Sequence, residues 1–223
     1  MSPKEKTLEL PRTISETIYL HLKKAIVSGE LKPGQRVQEK DIAALFNVSS
    51  TPVREAFFRL AAEKYLAIDA RKEVLVRGAS IEEVREIYEV VRALDLYAVK
   101  KLAGALAEED LRALNAMTRK LGEYYEANDH QRYLEQNLRI HDWLWQANGN
   151  ASLHQTLAQL MEKIAMYRKS NGFSPFADRK ALDKSYADHV GILNALEQGD
   201  RAALESIISS HWGEEFSEIS GNA

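Results

Sequence analysis

The sequence predicts a mainly α protein in two parts, an N-terminal winged helix-turn-helix domain and a C-terminal all-α six-helix bundle. Three observations lead there. The stretch Asn47-Val48-Ser49-Ser50-Thr51-Pro52-Val53-Arg54-Glu55-Ala56 reads as a tight turn running into a helix. Strand-like alternation follows it over 65–76. From Ser80 onward, apolar residues recur only at helical spacing. The boundaries drawn on this basis are a flexible tail over 1–11, a head over 12–78 and a body over 79–223.

In the head, Ile14, Ile18, Leu22 and Ile26, joined by Tyr19 and Ala25, mark a first amphipathic helix that ends near Ser28-Gly29. Gly29-Glu30-Leu31-Lys32-Pro33-Gly34 is turn chemistry. A second, short helix over 39–46 is expected to bury Ile42, Ala43 and Leu45. The third helix follows the turn at 47–49, with Ser49 and Ser50 as capping hydroxyls and Pro52 suited to a first turn. Val53, Ala56, Phe57 and Leu60 give it one buried face, and Ser50, Thr51, Arg54, Glu55 and Arg59 lie opposite. A helix start lined with hydroxyls and a forward arginine suits an anion, a DNA backbone among them; an ordinary solvated cap is the alternative. Tyr65, Leu66, Ile68 and then Val74, Leu75, Val76 flank a charged tip at 69–73, as in a hairpin wing.

Composition narrows the function classes. At 45% apolar residues the chain can build real cores, and with no cysteine it can form neither disulfides nor thiolate metal sites. No segment approaches the roughly 18 uninterrupted apolar residues of a membrane span, and 1–6 has no apolar signal core, so a cytoplasmic protein with no membrane partner is expected. The net charge of −3 hides an asymmetry. Residues 1–78 hold 14 basic against 10 acidic residues, and 79–223 hold 16 against 23. A basic front on an acidic rear fits a nucleic-acid-binding head on a body that serves another purpose.

At this point the motifs converge. The segments 29–34, Glu39-Lys40-Asp41-Ile42-Ala43 and Val48-Ser49-Ser50-Thr51-Pro52-Val53-Arg54-Glu55-Ala56, in this order and spacing, resemble the winged helix-turn-helix of GntR-family bacterial transcription regulators. The resemblance implies a homodimer on a palindromic double-stranded DNA operator. It assigns phosphate contacts to Lys40, Ser49 and Thr51, a further turn contact to Ser50, and a guanine edge to Arg54. Two departures stand out. Ser50 replaces a usual Arg, and Arg71-Lys72-Glu73 replaces a usual Asn-Arg-Gly at the wing tip. Glu73 is expected to face phosphates unfavourably, with Arg71 and Lys72 offsetting part of that, giving weakened or altered operator preference.

The body reads as six helices. Ser80-Ile81-Glu82-Glu83 is a capping box that opens a long helix with Val84, Ile87, Tyr88, Val91, Leu94 and Leu102 inward. Further helices are predicted over 108–127, 130–147, 151–169, 178–198 and 200–218, separated by Asn148-Gly149-Asn150, by 170–175 and by Gly199-Asp200. His141 lies one turn after Asn137, beside Leu138, Leu144 and Trp145. His189 sits among Tyr186, Ile192 and Leu193, and His211 shares a stripe with Ile207, Ile208 and Phe216. Three imidazoles aimed inward from different helices are costly to bury unless they share a partner, and a divalent metal is one. The alternative is three separate core histidines, each bonded to a carbonyl or water. His21, His130 and His154 lack such company and are expected at the surface.

Asn137 and His141, Asp188-His189 with Ile192-Leu193, Ala195-Leu196 and Gly199-Asp200, and His211 together resemble the FCD ligand-binding domain of FadR-like GntR regulators. Many such domains hold a metal with one Asp and three His. The resemblance implies a divalent ion, Zn, Ni or similar, on Asn137, His141, His189 and His211, with Asn137 departing from the usual Asp. It further implies effector-binding roles for Arg92 and Arg168 against a small carboxylate, although either could equally be a surface ion-pair partner. The expected function is a ligand-responsive transcription regulator, a repressor released by an organic acid. A metal-free sensor is the second reading, and a metal-dependent hydrolase is the third. Asp142 and Asp188 adjoin ligands but lie a helical step off their face, so no general base is evident and no enzyme is expected.

Overall fold

The computed structural model describes residues 13–69, 73–173, 175–176 and 178–221, with side chains as far as Gly213. The chain divides into two compact units, Met1–Gly78 and Ala79–Ala223. The expected tail at 1–11, the wing-tip residues Arg71 and Lys72, and the side chain of Phe216 lie outside the described residues.

In the first unit, α1 (Ile14–Val27) is capped by the Thr13 hydroxyl, which accepts from Glu16 N–H. It buries Ile18, Tyr19, Leu22, Ala25 and Ile26 against α3 (Ser50–Ala62), which contributes Val53, Ala56, Phe57 and Leu60. Between them runs α2 (Glu39–Phe46). It ends at Asn47, whose left-handed backbone (φ 52°) an asparagine tolerates better than most side chains, and whose N–H closes onto Ala43 and Ala44 carbonyls. The expectation that α2 buries Leu45 is corrected: Ile42, Ala43 and Phe46 are half-buried, whereas Leu45 is 64% exposed. Leu45 sits about 100° from the centre of that stripe, and eight residues present only one narrow face. The wing is an antiparallel pair, β1 (Leu66–Ile68) and β2 (Val74–Val76), in the register Leu66↔Val76 and Ile68↔Val74. Arg36 adds a bridge to Leu75.

The second unit holds α4 (Ile81–Leu102), α5 (Glu108–Glu126), α6 (His130–Ala147), α7 (Ala151–Ser170), α8 (Arg179–Gln198) and α9 (Arg201–Gly221). Its start is fixed by the full capping box of Ser80 and Glu83. Asn150 caps α7 and Asp178 caps α8, while Gly199 (φ 70°) closes α8 in the left-handed conformation that glycine adopts without penalty. The core runs through Val84, Val91 and Val99 of α4, Leu121 of α5, Ile140 and Leu144 of α6, Leu157 and Ile164 of α7, Ile192 and Leu196 of α8, and Leu204 and Ile208 of α9. Helices α8 and α9 approach closely at Gly191, where an added Cβ would lie 2.9 Å from Ile207 Cδ1. That close packing sets the distance between the faces that carry His189 and His211. No described helix is long and apolar enough to cross a membrane.

Candidate functional site

His141 on α6, His189 on α8 and His211 on α9 converge in the interior of the bundle, at 0%, 2% and 3% exposure. Each offers one ring nitrogen to a common point, and these nitrogens all lie within 4.8 Å of one another. His141 Nε2 and His211 Nε2 are 3.2 Å apart. The other ring nitrogens are directed at acceptors. His189 Nδ1–H donates to the Ser185 carbonyl at 2.8 Å, and His211 Nδ1–H donates to Asp188 Oδ2 at 3.1 Å. His141 Nδ1 faces Asp95 Oδ2 at 3.5 Å. Acceptors behind His189 and His211 fix the proton on Nδ1 and turn the Nε2 lone pair inward, whereas His141 Nδ1 makes no hydrogen bond and meets Asp95 only at ion-pair distance.

That arrangement is unsatisfied by protein groups alone. His189 Nε2 and Asn137 Oδ1 are buried and find no hydrogen-bond partner. Any neutral assignment of His141 and His211 either sets two Nε2 lone pairs against each other or turns an Nδ1 lone pair toward a carboxylate. One shared proton relieves that pair and leaves His189 and Asn137 orphaned. A divalent cation at the three ring nitrogens would relieve all three imidazoles at once. The 3.2 Å Nε2 separation matches the edge of about 3.3 Å expected for two imidazoles at Zn–N distances of about 2.0–2.1 Å. Burial, then the neighbouring His211 and His141 rings, push the His189 pKa well below its ordinary value, against the opposing pull of the Ser185 carbonyl. The ring therefore stays neutral, the form that ligates a metal. The donor set fits a borderline divalent ion.

Sequence reasoning missed the groups behind the rings. Asp95 of α4 is fully buried, and its carboxylate accepts from Trp145 Nε1 of α6 at 2.5 Å and from Trp212 Nε1 of α9 at 2.7 Å. Burial works to raise its pKa, but attraction to His141 and the two indole N–H donors outweigh it and hold the carboxyl below its usual range. The available signal was a lone acid on the apolar stripe of Tyr88, Val91, Ala98, Val99 and Leu102. Asp188, expected a step off the ligand face, is instead reached by His211 from the neighbouring helix, and Lys184 Nζ binds both its oxygens at 2.7 and 2.6 Å. Asp142 turns away and meets His154 Nε2 at 2.7 Å. His21 is exposed as expected, whereas His130 and His154 are half-buried.

Arg168 lies buried near the end of α7, and its Nη2 donates to Tyr88 Oη at 2.6 Å. Arg92 is exposed on α4 and, with Arg85, Tyr88, Glu89, Trp212 and Gly213, lines a depression of about 160 Å³. Both arginines thus flank Tyr88, and the Trp212 ring beside it lies 4.8 Å from the His141 ring centre.

In the first unit, Lys40, Ser49, Thr51 and Arg54 are exposed and Ser50 is half-buried, all around the start of α3. Ser49 takes the N-cap position in extended conformation, yet its side chain makes no cap hydrogen bond, so the expected capping role is corrected. Arg54 Nε binds Glu39 Oε2 at 2.7 Å across the turn. Glu73 is not a bare charge at the wing tip: Arg36 Nη1 pairs with it at 2.9 Å.

Residues 14–76 match the profile of bacterial regulatory proteins of the gntR family, and residues 86–214 match the FCD domain. The chain belongs to the GntR family. The HTH-type transcriptional repressor RspR of Escherichia coli K12 is 25% identical over 216 residues, 93% of this chain and 89% of that one. The gluconate operon transcriptional repressor of Bacillus subtilis 168 is 26% identical over 194 residues, covering 84% and 77%. A transcriptional regulator of Rhodococcus sp. RHA1 shares the fold, with a TM-score of 0.71 at 22% identity over 94% of this chain and 98% of that one. This GntR-family chain is accordingly a DNA-binding transcriptional regulator and not a hydrolase.

Proposed function

We propose that this regulator is a cytoplasmic, homodimeric repressor whose body senses a small carboxylate at a divalent metal site. In this reading Asn137, His141, His189 and His211 hold the ion. Arg92 and Arg168, flanking Tyr88, steer the carboxylate. Lys40, Ser49, Ser50, Thr51, Arg54, Arg71 and Lys72 meet a palindromic double-stranded operator. The observation that carries the metal is the convergence of three buried imidazoles, two of them with a hydrogen-bond acceptor behind the ring and the third, His141, 3.5 Å from the Asp95 carboxylate. The repressor direction is supported by relatives that bear that description.

Bound there, a divalent cation supplies a positive centre for an incoming carboxylate oxygen. The residues do the rest. Asn137 contributes a neutral carbonyl oxygen where a carboxylate would cancel one charge, so the site keeps a stronger pull on anions while holding the cation less firmly. An anion that binds one packing of α4, α6 and α9 better than another shifts the bundle and, through it, operator affinity.

Elemental analysis of the purified full chain, joined to operator binding by fluorescence anisotropy with and without EDTA and candidate carboxylates, tests the whole reading. Stoichiometric Zn or Ni, and operator release by a carboxylate only in metal-loaded protein, are expected. Asn137→Asp is expected to tighten metal binding and weaken carboxylate binding in isothermal titration. A second reading has its own observation: the 3.2 Å Nε2 pair also suits an imidazolium bonded to an imidazole. Carboxylate-driven release that EDTA leaves intact would favour that metal-free sensor.

A further inference from the structure

We propose that Asp95 is a positioning residue for the metal site. Its carboxylate, behind His141, supplies the negative charge that a donor set of one amide and three neutral imidazoles lacks. It also ties that charge to α6 and α9 through Trp145 and Trp212. The inference rests on the metal reading above.

Several observations bear on it. Asp95 is fully buried, and no Lys or Arg pairs with it among the described residues. A buried carboxylate without a cation is expensive, and two indole N–H groups compensate only in part. The second carboxylate behind the rings, Asp188, differs: Lys184 already neutralises it through two contacts. Of the two acids, only Asp95 has charge to spare for a cation at the imidazoles. The charge reaches the site along a defined line, from Asp95 Oδ2 to His141 Nδ1 at 3.5 Å and across the ring to Nε2. A cation at Nε2 makes Nδ1–H more acidic and strengthens its attraction to the carboxylate, drawing the two together. At 3.5 Å, with His141 Nδ1 making no hydrogen bond, the contact lies outside hydrogen-bonding range and has room to shorten. Because the same carboxylate accepts from Trp145 and Trp212, that movement is felt by three helices.

The test is Zn²⁺ affinity of the full chain, read by competition with a chromophoric chelator, with circular dichroism as the check on folding. Asp95→Asn keeps an acceptor and removes the charge; it is expected to weaken Zn²⁺ binding about 10- to 100-fold. Asp95→Glu restores the charge and should recover most of that loss, which a purely steric role would not allow. A folded Asp95→Asn protein that binds Zn²⁺ like the wild type overturns the inference and leaves the metal site standing. If Asp95→Asn does not fold, Trp145→Phe decides. With one indole donor gone, the carboxylate becomes a stronger acceptor for His141, and affinity should rise several-fold; unchanged or weaker binding overturns the inference. Wild-type protein that binds no Zn²⁺ removes the metal reading and this inference together.

Discussion

His141 Nε2 stands 3.2 Å from His211 Nε2, with both rings buried. With both protons on Nδ1, lone pairs at that range would repel, and a cation between them would turn the repulsion into two bonds. The body is therefore expected to gain stability from Zn²⁺. A ligand at 100 times its Kd stabilises by about 2.7 kcal/mol, worth about 5–10 °C in Tm for a unit of this size. Differential scanning fluorimetry with and without Zn²⁺ measures it, and His211→Gln should abolish the shift. A wild-type Tm indifferent to Zn²⁺ and EDTA contradicts the proposed site.

The ion-free protein should be sensitive to mild acid. The folded-state pKa of His189 lies well below its ordinary value, so the unfolded chain binds a proton that the folded chain refuses. The stabilisation is complete above the unfolded value of about 6.5 and is lost as pH falls through it toward the folded value. One such group gives a slope of up to about 1.4 kcal/mol per pH unit. Asp95, also depressed, contributes with the opposite charge and in a lower window. Its stabilisation is present above an unfolded value of about 3.9 and is lost as pH falls through the lower folded one. Urea midpoints in EDTA at pH 8, 7, 6 and 5 should fall mainly below pH 7, and His189→Gln should flatten that fall.

The helices were legible because their signals are local. The capping box at Ser80, the Asn148-Gly149-Asn150 break and the 3.6-residue stripes each lie within one segment, and the helix limits follow. The inward histidines were legible for the same reason, since each sits on its own apolar stripe. What surrounds them was not. Asp95 is 46 residues from His141 in sequence and meets it only because α4 packs on α6. Asp188 looked misdirected when judged on its own helix, but the ring it serves comes from α9. Leu45 failed for the converse reason: its pattern was apolar, and α2 offers no neighbour on that side among the described residues.

Lys184 gives a prediction of opposite sign to the Asp95 substitution. Its ammonium holds both Asp188 oxygens and also donates to Ser210 Oγ at 3.1 Å. Lys184→Met leaves Asp188 a stronger acceptor for His211 Nδ1–H and adds one uncompensated negative charge beside the site. Zn²⁺ affinity should rise several-fold. The ion-free protein should lose stability, because a mostly buried carboxylate loses its cation. Chelator competition and urea unfolding read the two effects separately. Weaker metal binding in a folded Lys184→Met protein contradicts the proposed link through Asp188.

In the head, the pair of Arg54 with Glu39 separates two kinds of DNA contact. Arg54 projects from the first turns of α3, and Glu39 holds its Nε from the start of α2. The carboxylate's pKa is lowered by hydrogen bonds from Arg54 and then from Ser50, so Glu39 stays charged at neutral pH and aims the guanidinium. The guanidinium's remaining N–H groups can still present a fork to a guanine edge. Arg54→Ala is therefore expected to cost about 10- to 100-fold in operator affinity and to relax preference at one base pair per half-site. Lys40→Ala should weaken operator and unrelated DNA alike and reduce the salt slope by about one. Glu39→Gln removes a negative charge near the phosphates and frees Arg54 to turn. Unrelated DNA should then bind more tightly and the operator no better, lowering the specificity ratio. Anisotropy titrations of each variant against operator and scrambled duplex at two salt concentrations give all three quantities. An Arg54→Ala protein that loses affinity equally for both duplexes would make Arg54 a phosphate contact and leave base reading to another side chain.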